Sequence, residues 1–237
     1  MTDHSPDGSA LHPIEILDLG CLDYLETHDL QRDLVAERSA DRIQDTLILV
    51  EHPHVFTRGR QSKDDANILS PGDVPVVDVE RGGDLTYHGP GQLVAYPIFK
   101  LRPDERDAPQ FIRRLERWLI ASIHDLGIAN ARTKWGFTGV WWGDKKLASI
   151  GIAVTAKWVT WHGIALNVTT DLAYFQRINP CGLRANVMTS VAEILGNKPR
   201  MNDTKAAVVR ALPDHLSRGL PTPHQFESNA NQLLYNS

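Results

Sequence analysis

The chain has 237 residues, of which 42% are hydrophobic and 23% are charged, with 25 basic and 29 acidic side chains. This length can bury a substantial core, and the composition shows no bias toward disorder, collagen or coiled coil. The net charge of −4 argues against a nucleic-acid binder. No signal or transit peptide, membrane span or required disulfide is visible, so we expect a cytoplasmic protein with no membrane partner.

Alternating and apolar runs predict strands in the first half of the chain. These runs cover residues 14–19, 47–50, 55–58, 76–79 and 93–99. Residues 22–38 form a helix-prone stretch. Its apolar side is expected to hold Leu25, Leu30 and Leu34. Residues 81–92 contain four glycines and a proline, which predict a shaped loop or hairpin instead of a packed element.

The second half opens with apolar residues at helical spacing from Phe111 to Leu126, the clearest amphipathic helix in the chain. The pattern then predicts strands at 139–142, 146–154 and 158–168, a loop at 178–183, and helices at 187–195 and 204–212. We therefore expect one α/β (α+β) domain over 13–217, with a mixed, largely antiparallel sheet flanked by helices. Residues 1–12 and 218–237 are expected to be loosely ordered tails.

Two side chains stand out as candidates for chemistry. Cys181 lies between Pro180 and Gly182, which favour an open loop. Alternation along a strand would place Lys145 and Lys146 on opposite faces, so that one of them points into the domain. A lysine directed inward loses solvation, and its neutral amine can then accept a proton.

Each of these residues also has an ordinary interpretation. An isolated cysteine such as Cys181 or Cys21 is more often a packing residue, and both lysines could extend to solvent. The glycines of 81–92 could simply form turns, since the segment matches neither a Walker loop nor a dinucleotide fingerprint. The histidines show no metal-ligand spacing, and no Gly-x-Ser-x-Gly elbow indicates a serine hydrolase.

Five segments nevertheless occur together in one order. They are His52-Pro53 with the later Gly59-Arg60, Arg81-Gly82-Gly83-x-x-Thr86-Tyr87-His88-Gly89-Pro90-Gly91-Gln92, Lys146-Leu147-Ala148-Ser149-Ile150-Gly151, His162-Gly163-Ile164-Ala165-Leu166-Asn167 and Ile178-Asn179-Pro180-Cys181-Gly182. In this order they resemble the lipoyl(octanoyl) transferase family. The resemblance covers residues 14–195 and leaves out the first dozen residues and the region past 200.

The resemblance implies the α/β fold of the catalytic domains of biotin and lipoate ligases, with Cys181 and Lys146 as a catalytic dyad. It implies octanoyl transfer, through an acyl-cysteine, from the phosphopantetheine of acyl carrier protein to a lysine of a lipoyl domain. Such domains occur in the E2 subunits of 2-oxoacid dehydrogenases and in glycine cleavage H protein. Neither ATP nor a metal is expected. The acyl site is expected to be lined by Arg81, Gly82, Gly83, Asp84, Leu85, Thr86, Tyr87, His88, Ser149, Ile150, Gly151, Gly163, Ile164 and Ala165.

Three alternatives remain open on the sequence. An ATP-dependent lipoate or biotin ligase would share the fold but would need no cysteine nucleophile. A non-catalytic binder of lipoyl domains or carrier protein would tolerate the loss of Cys181 and Lys146. An amidotransferase that moves octanoyl groups between lipoyl carriers would use the same cysteine chemistry with a different donor.

Overall fold

A central eight-stranded sheet organises the domain. The computed structural model describes residues 12–62, 67–179, 185–216 and 218–219. The strand order is β11-β1-β2-β6-β10-β9-β8-β7, and a separate three-stranded sheet has the order β4-β3-β5. The strands are β1 (His12–Cys21), β2 (Asp45–Glu51), β3 (Val55–Arg58), β4 (Val76–Asp78), β5 (Leu85–His88), β6 (Gln92–Ile98), β7 (Ala131–Lys134), β8 (Phe137–Trp142), β9 (Lys145–Val154), β10 (Thr160–Asn167) and β11 (Arg218–Gly219).

The pairing confirms a mixed, largely antiparallel sheet. β1 runs parallel to β2 and β11, and the pairs from β2 through β6, β10, β9 and β8 to β7 are antiparallel. Within the described ranges, five α-helices accompany the sheets: α1 (Tyr24–Ser39), α2 (Ala108–Asp125), α3 (Val191–Leu195), α4 (Met201–Arg210) and α5 (Leu212–Leu216). No helix in the described part of the chain is long and apolar enough to cross a membrane.

Helices cover the large sheet on both faces, so β6 is buried along its whole length and β2 is buried up to its last residue, Glu51. Leu47 and Leu49 of β2 point toward α2, α4 and α5, whereas Ile48 and Val50 point toward α1. Asp107 caps α2 by accepting a hydrogen bond from Gln110 N at 2.9 Å. The apolar run from Phe111 forms the buried face of this helix, as its spacing predicts.

The structure corrects several expectations. A true strand, β5, lies inside 81–92, because Leu85 and Tyr87 have apolar neighbours to pack against despite the glycines around them. The buried side of α1 is Tyr24, Thr27 and Gln31, whereas Leu25 is 54% exposed. The helix predicted at 187–195 is shorter: Ser190 accepts a hydrogen bond from Glu193 N and α3 begins at Val191.

Arg218 anchors the end of the described chain to the rest of the domain. Only 1% of this residue is exposed, and β11 pairs with the start of β1. Its Nε donates to Asp45 Oδ2 at 2.5 Å, and its Nη1 donates to Glu105 Oε1 at 3.1 Å. Asp45 also accepts from Arg38 Nε at 2.7 Å, so the buried charges form a network. The domain boundaries of 13 and 217 remain a prediction.

Candidate active site

A cleft lies between β5 of the small sheet and one face of β6, β9 and β10 in the large sheet. Its empty volume, part of it open to solvent, is about 630 Å³. Its lining comes from three of the five ordered segments, those that begin at Arg81, Lys146 and His162, and from elements distant in sequence. The lining residues are Tyr24, Arg81, Gly82, Gly83, Thr86, His88, Val94, Tyr96, Lys146, Ser149, Ile150, Gly151, His162, Gly163, Ile164, Ala165 and Met188.

Lys146 marks one end of the cleft. Its side chain is buried, with 7% of the residue exposed, whereas the neighbouring Lys145 is exposed, which confirms that the two point to opposite faces. Lys146 pairs with Trp141 of β8 on one side and bridges to Met188 on the other. Thr189 N donates to the Lys146 carbonyl at 3.0 Å, so the backbone is held from both sides.

The other end of the cleft lies where His162 pairs with Ile152 of β9. Six residues of strand separate Ile152 from Lys146, which corresponds to about 20 Å. Tyr24, His88 and Tyr96 complete this end wall, and the rings of Tyr24 and His88 stack at 5.9 Å. The cleft therefore runs along the sheet from an amine to a wall of aromatic side chains.

Burial keeps the groups of this wall uncharged. It lowers the pKa of both His88 and His162 from 6.5 to about 3 and raises the pKa of Tyr24 to about 12. The pKa of Tyr96 is also raised well above 10 by burial. An uncharged end wall imposes no ionic requirement on a ligand.

The buried histidines of this region determine how the stability of the protein depends on pH. Burial depresses the pKa of His52 to about 4 and the pKa of His88 and His162 to about 3, whereas the unfolded chain takes up these protons near 6.5. The unfolded state then binds more protons, so the free energy of unfolding should fall as pH drops from 6.5 toward 4. Urea denaturation across this range checks the slope, and imidazole NMR signals of His88 and His162 that titrate above pH 5 would contradict it.

Alternation along β5 separates the predicted site residues. Thr86 and His88 face the cleft, whereas Leu85 and Tyr87 pack with Phe56 and Phe175 on the opposite side. The Tyr87 hydroxyl lies 2.7 Å from His54 Nδ1. Leu85 and Tyr87 therefore support the cleft from behind and do not line it.

Arg81 shapes the glycine loop. Its Nη1 donates to the carbonyls of Gly82 at 3.1 Å and Asp84 at 2.9 Å, and its Nη2 donates to the Thr57 carbonyl at 2.7 Å. The loop is also tied to the large sheet, because Gly82 N donates to the Ile152 carbonyl at 2.9 Å. Asp84 contributes a carbonyl to this arrangement and does not line the cleft. Arg81 thus lines the site and fixes the backbone around it.

A buried chain of amides links the end wall to the lysine. His88 Nδ1 lies 2.7 Å from Gln92 Oε1, and Gln92 Nε2 donates to Asn167 Oδ1 at 2.9 Å. Asn167 Nδ2 donates to the Thr189 carbonyl at 3.0 Å, and Thr189 N donates to the Lys146 carbonyl. The strand end that carries Lys146 is therefore held in register with β5 and β6.

One group of side chains has the spacing of metal ligands. His28 Nε2 lies 3.0 Å and His162 Nε2 lies 3.7 Å from Glu80 Oε2. The three ligand atoms lie within 4.8 Å of one another. This group could not be predicted from the sequence, because its members come from α1, from the loop before Arg81 and from β10. The positive charges of Arg81 and Arg60 act on His162, and the negative charge of Glu80 opposes them.

Cys181, the predicted nucleophile, lies outside the described residues. The chain on either side of it is described. Asn179 N donates to the Asn67 carbonyl at 2.8 Å, and Met188 both bridges to Lys146 and lines the cleft. The cleft is also lined by five residues that were not predicted from the sequence: Tyr24, Val94, Tyr96, His162 and Met188.

Comparisons with known proteins agree with this geometry. Residues 23–213 match the family described as lipoyl protein ligase A/B catalytic domain. The chain is 45% identical to an octanoyltransferase of Syntrophobacter fumaroxidans over 86% of this chain and 89% of the relative. It is 46% identical to an octanoyltransferase of Syntrophotalea carbinolica over 88% and 97%. A crystal structure of lipoate-protein ligase A bound with ATP superposes with a TM-score of 0.69 at 15% identity, covering 96% of this chain and 95% of that one, which confirms the fold.

Proposed function

Because the chain belongs to the lipoyl protein ligase A/B catalytic domain family, with octanoyltransferases as its relatives, we propose that it moves an octanoyl group from a thioester donor to a protein lysine. The observation that carries this proposal is the buried Lys146 at one end of a cleft whose far wall is uncharged, beside the chain that continues from Cys181. The donor is octanoyl-loaded acyl carrier protein. The acceptor is a lipoyl domain of a 2-oxoacid dehydrogenase E2 subunit or glycine cleavage H protein.

The position of Lys146 supports a role as proton acceptor for Cys181. An ordinary thiol is only slightly ionised at neutral pH, and attack on a thioester needs the thiolate. Lys146 is buried, and Met188, seven residues beyond Cys181, is paired with it. A neutral amine in such a place would take the thiol proton, and the ammonium that forms would stabilise the thiolate.

The first half-reaction forms the acyl-enzyme. The Cys181 thiolate attacks the thioester carbonyl of the donor, and the tetrahedral intermediate expels the pantetheine thiolate. The Lys146 ammonium then returns its proton to the departing sulfur. The Gly82 N–H cannot stabilise the oxyanion, because it already donates to the Ile152 carbonyl. Other backbone donors of the glycine loop or of the chain around Cys181 fill that role in this proposal.

The second half-reaction forms the amide. The ε-amine of the acceptor lysine attacks the Cys181 thioester, and the C–S bond breaks as the C–N bond forms. Lys146 takes the surplus proton from the nitrogen while the thiolate leaves. A thioester is converted to an amide, which is downhill, so the reaction needs neither ATP nor a metal. A free thiol must stay reduced, so we place the enzyme in the cytoplasm.

The cleft supports a linear acyl substrate. Gly151 pairs with Gly163 and Ser149 with Ala165, so small residues follow one another along the cleft side of β9 and β10. Each methylene of the chain that the cleft buries contributes about 0.8 kcal/mol to binding. The uncharged wall of Tyr24, His88 and His162 closes the far end, which favours an apolar chain terminus.

Intact-protein mass spectrometry tests the proposal. Incubation with octanoyl-loaded acyl carrier protein, without ATP, should add one octanoyl group, and tryptic mapping should locate it on Cys181. Cys21 is exposed and serves as the matched control, so Cys21→Ser should acylate normally while Cys181→Ser should not.

Two outcomes would favour the alternatives. Use of free octanoate that depends on ATP, with no protein adduct, would indicate a ligase and overturn the proposal. A donor competition in which octanoylated lipoyl domain displaces octanoyl-loaded carrier protein as the preferred donor would indicate an amidotransferase.

A further inference from the structure

A carboxylate is buried where α2 packs on the large sheet. The buried side chains of α2 are mostly apolar, yet Glu116 among them is 0% exposed. Burying a carboxylate is strongly unfavourable unless partners compensate. One partner of Glu116 is Arg113 Nη1 at 2.7 Å, on the half-exposed side of the helix. The other is the backbone N–H of Gly139 in β8, which donates to Oε1 at 3.1 Å.

Gly139 adopts a backbone conformation reserved for glycine. Its φ is +122°, and β8 shifts its register against β9 immediately after it, between Val140 and Trp141. A side chain at this position would put its Cβ 2.4 Å from the Ala148 carbonyl oxygen and 2.9 Å from Lys146 Cε. Gly139 therefore leaves a notch in β8 through which the end of the Lys146 side chain passes.

These contacts connect the helix to the lysine in three steps. Glu116 fixes the N–H of Gly139, Gly139 keeps the notch open, and the notch receives Lys146 Cε. Trp141 borders the same space, with its ring 5.9 Å from Lys146 Nζ. A lysine side chain has four rotatable bonds, so its amine is held in place only where its stem is confined.

We propose that Glu116, acting through Gly139, is a positioning residue for the Lys146 amine. This inference rests on the proposed role of Lys146 as the proton acceptor for Cys181. Glu116 touches neither substrate nor reacting atoms. It sets where the amine lies by holding the strand segment that confines the lysine stem, and this explains why an acidic side chain occupies the core-facing side of α2.

Glu116→Met and Glu116→Asp test the inference in a Cys21→Ser background, where Cys181 is the one remaining thiol. Methionine keeps the shape but removes the acceptor, and aspartate keeps the charge but is one methylene too short. Both should slow single-turnover acylation of Cys181 by about tenfold or more, because misplacement by about 1 Å costs up to 100-fold. Both should also move the pH midpoint of Cys181 alkylation by iodoacetamide upward, toward about 8.5, the value of an ordinary thiol.

Two matched controls accompany these variants. Glu116→Gln keeps an oxygen that can accept a hydrogen bond from Gly139 N, so its alkylation midpoint should equal that of the wild type. Arg113→Gln removes the ion pair of Glu116 but keeps the bond to Gly139, so it should lower the melting temperature and leave the alkylation midpoint at the wild-type value. A purely structural role would lower the folded fraction, seen in thermal melts, without moving the alkylation midpoint.

The outcomes separate this inference from the proposed function. If Lys146→Met raises the alkylation midpoint while Glu116→Met and Glu116→Asp leave it at the wild-type value, the positioning role is wrong and the dyad stands. Equal shifts in Glu116→Gln and Glu116→Met would also overturn it, since the bond to Gly139 would then be irrelevant. If Lys146→Met itself leaves the midpoint unchanged, the dyad is wrong and this inference fails with it.

Discussion

Lys146→Met should reduce the rate of octanoyl transfer by about 10²- to 10⁴-fold, the range for losing a positioned general acid–base group. Methionine fills a similar volume and carries no proton, so the buried position stays packed while the chemistry is lost. Both half-reactions should slow, because the same amine takes the thiol proton and later the proton of the acceptor lysine. Single-turnover acylation and transfer to a lipoyl domain measure the two steps separately.

Lys145→Met is the matched control for this variant. Lys145 precedes Lys146, points to the exposed face and donates to the Asn186 carbonyl. It should therefore keep most of the transfer activity. Wild-type acylation rates in Lys146→Met would remove Lys146 from the mechanism, whereas equal losses in both variants would indicate that strand β9, and not the amine, is responsible.

Arg218→Met should lower the free energy of unfolding by about 3 kcal/mol, the lower end of the cost of breaking a buried ion pair. Asp45 and Glu105 are both 4% exposed and would lose a charged partner. Arg38 and Arg114 remain beside them, at 2.7 Å from Asp45 and from Glu105, which limits the penalty. Thermal unfolding should show a Tm lower by about 10 °C.

The same change should alter the response to acid. Burial raises the pKa of Glu105, but hydrogen bonds from Arg218 and Arg114 outweigh it and bring the pKa from 4.5 to about 2. The depressed value gives Glu105 a stabilising contribution above pH 4.5 that is lost as pH falls toward 2. In Arg218→Met, the free energy of unfolding should therefore fall less than in the wild type as pH drops from 4.5 toward 2.

An exposed ion pair provides the comparison for Arg218. Arg200 pairs with Asp203 at 2.9 Å, but its side chain is 82% exposed. Arg200→Met should therefore change the free energy of unfolding by less than about 1 kcal/mol. If both variants cost the same, the network around Arg218 contributes no more than a surface pair, and the attribution to its burial is wrong.

The strands and the amphipathic helix could be predicted because their apolar periodicity is strong. The run at 47–50 became the centre of β2, and Phe111 begins the buried face of α2. Two features were not predicted from the sequence: the short strands β5 and β7, and part of the buried face of α1. β7 and β5 are short strands whose residues pair only because β8 and β3 lie beside them. On α1, Leu34 packs against the core as predicted, but Leu25 is exposed, because contacts with distant strands bury Tyr24, Thr27 and Gln31 instead.

The cleft was partly predictable for a similar reason. The ordered motifs correctly indicated that the glycine loop, β9 and β10 meet, and eleven of the fourteen expected acyl-site residues line one cleft, whereas Asp84, Leu85 and Tyr87 lie behind it. The end wall was not predictable, because Tyr24 and Tyr96 look like ordinary packing residues in the sequence. The position of Tyr24 depends on how α1 crosses the sheet, which no local pattern encodes.

The pairing of β11 with β1 bears on the order in which the protein assembles. His12 and Arg218 are neighbours in space but stand at opposite ends of the described chain, so closing this pair costs more loop entropy than any local contact. The strands that line the cleft pair among themselves and do not need β11. On a ribosome, the strands that line the cleft emerge before Arg218. We therefore expect β11 to dock last and to exchange its amide hydrogens first.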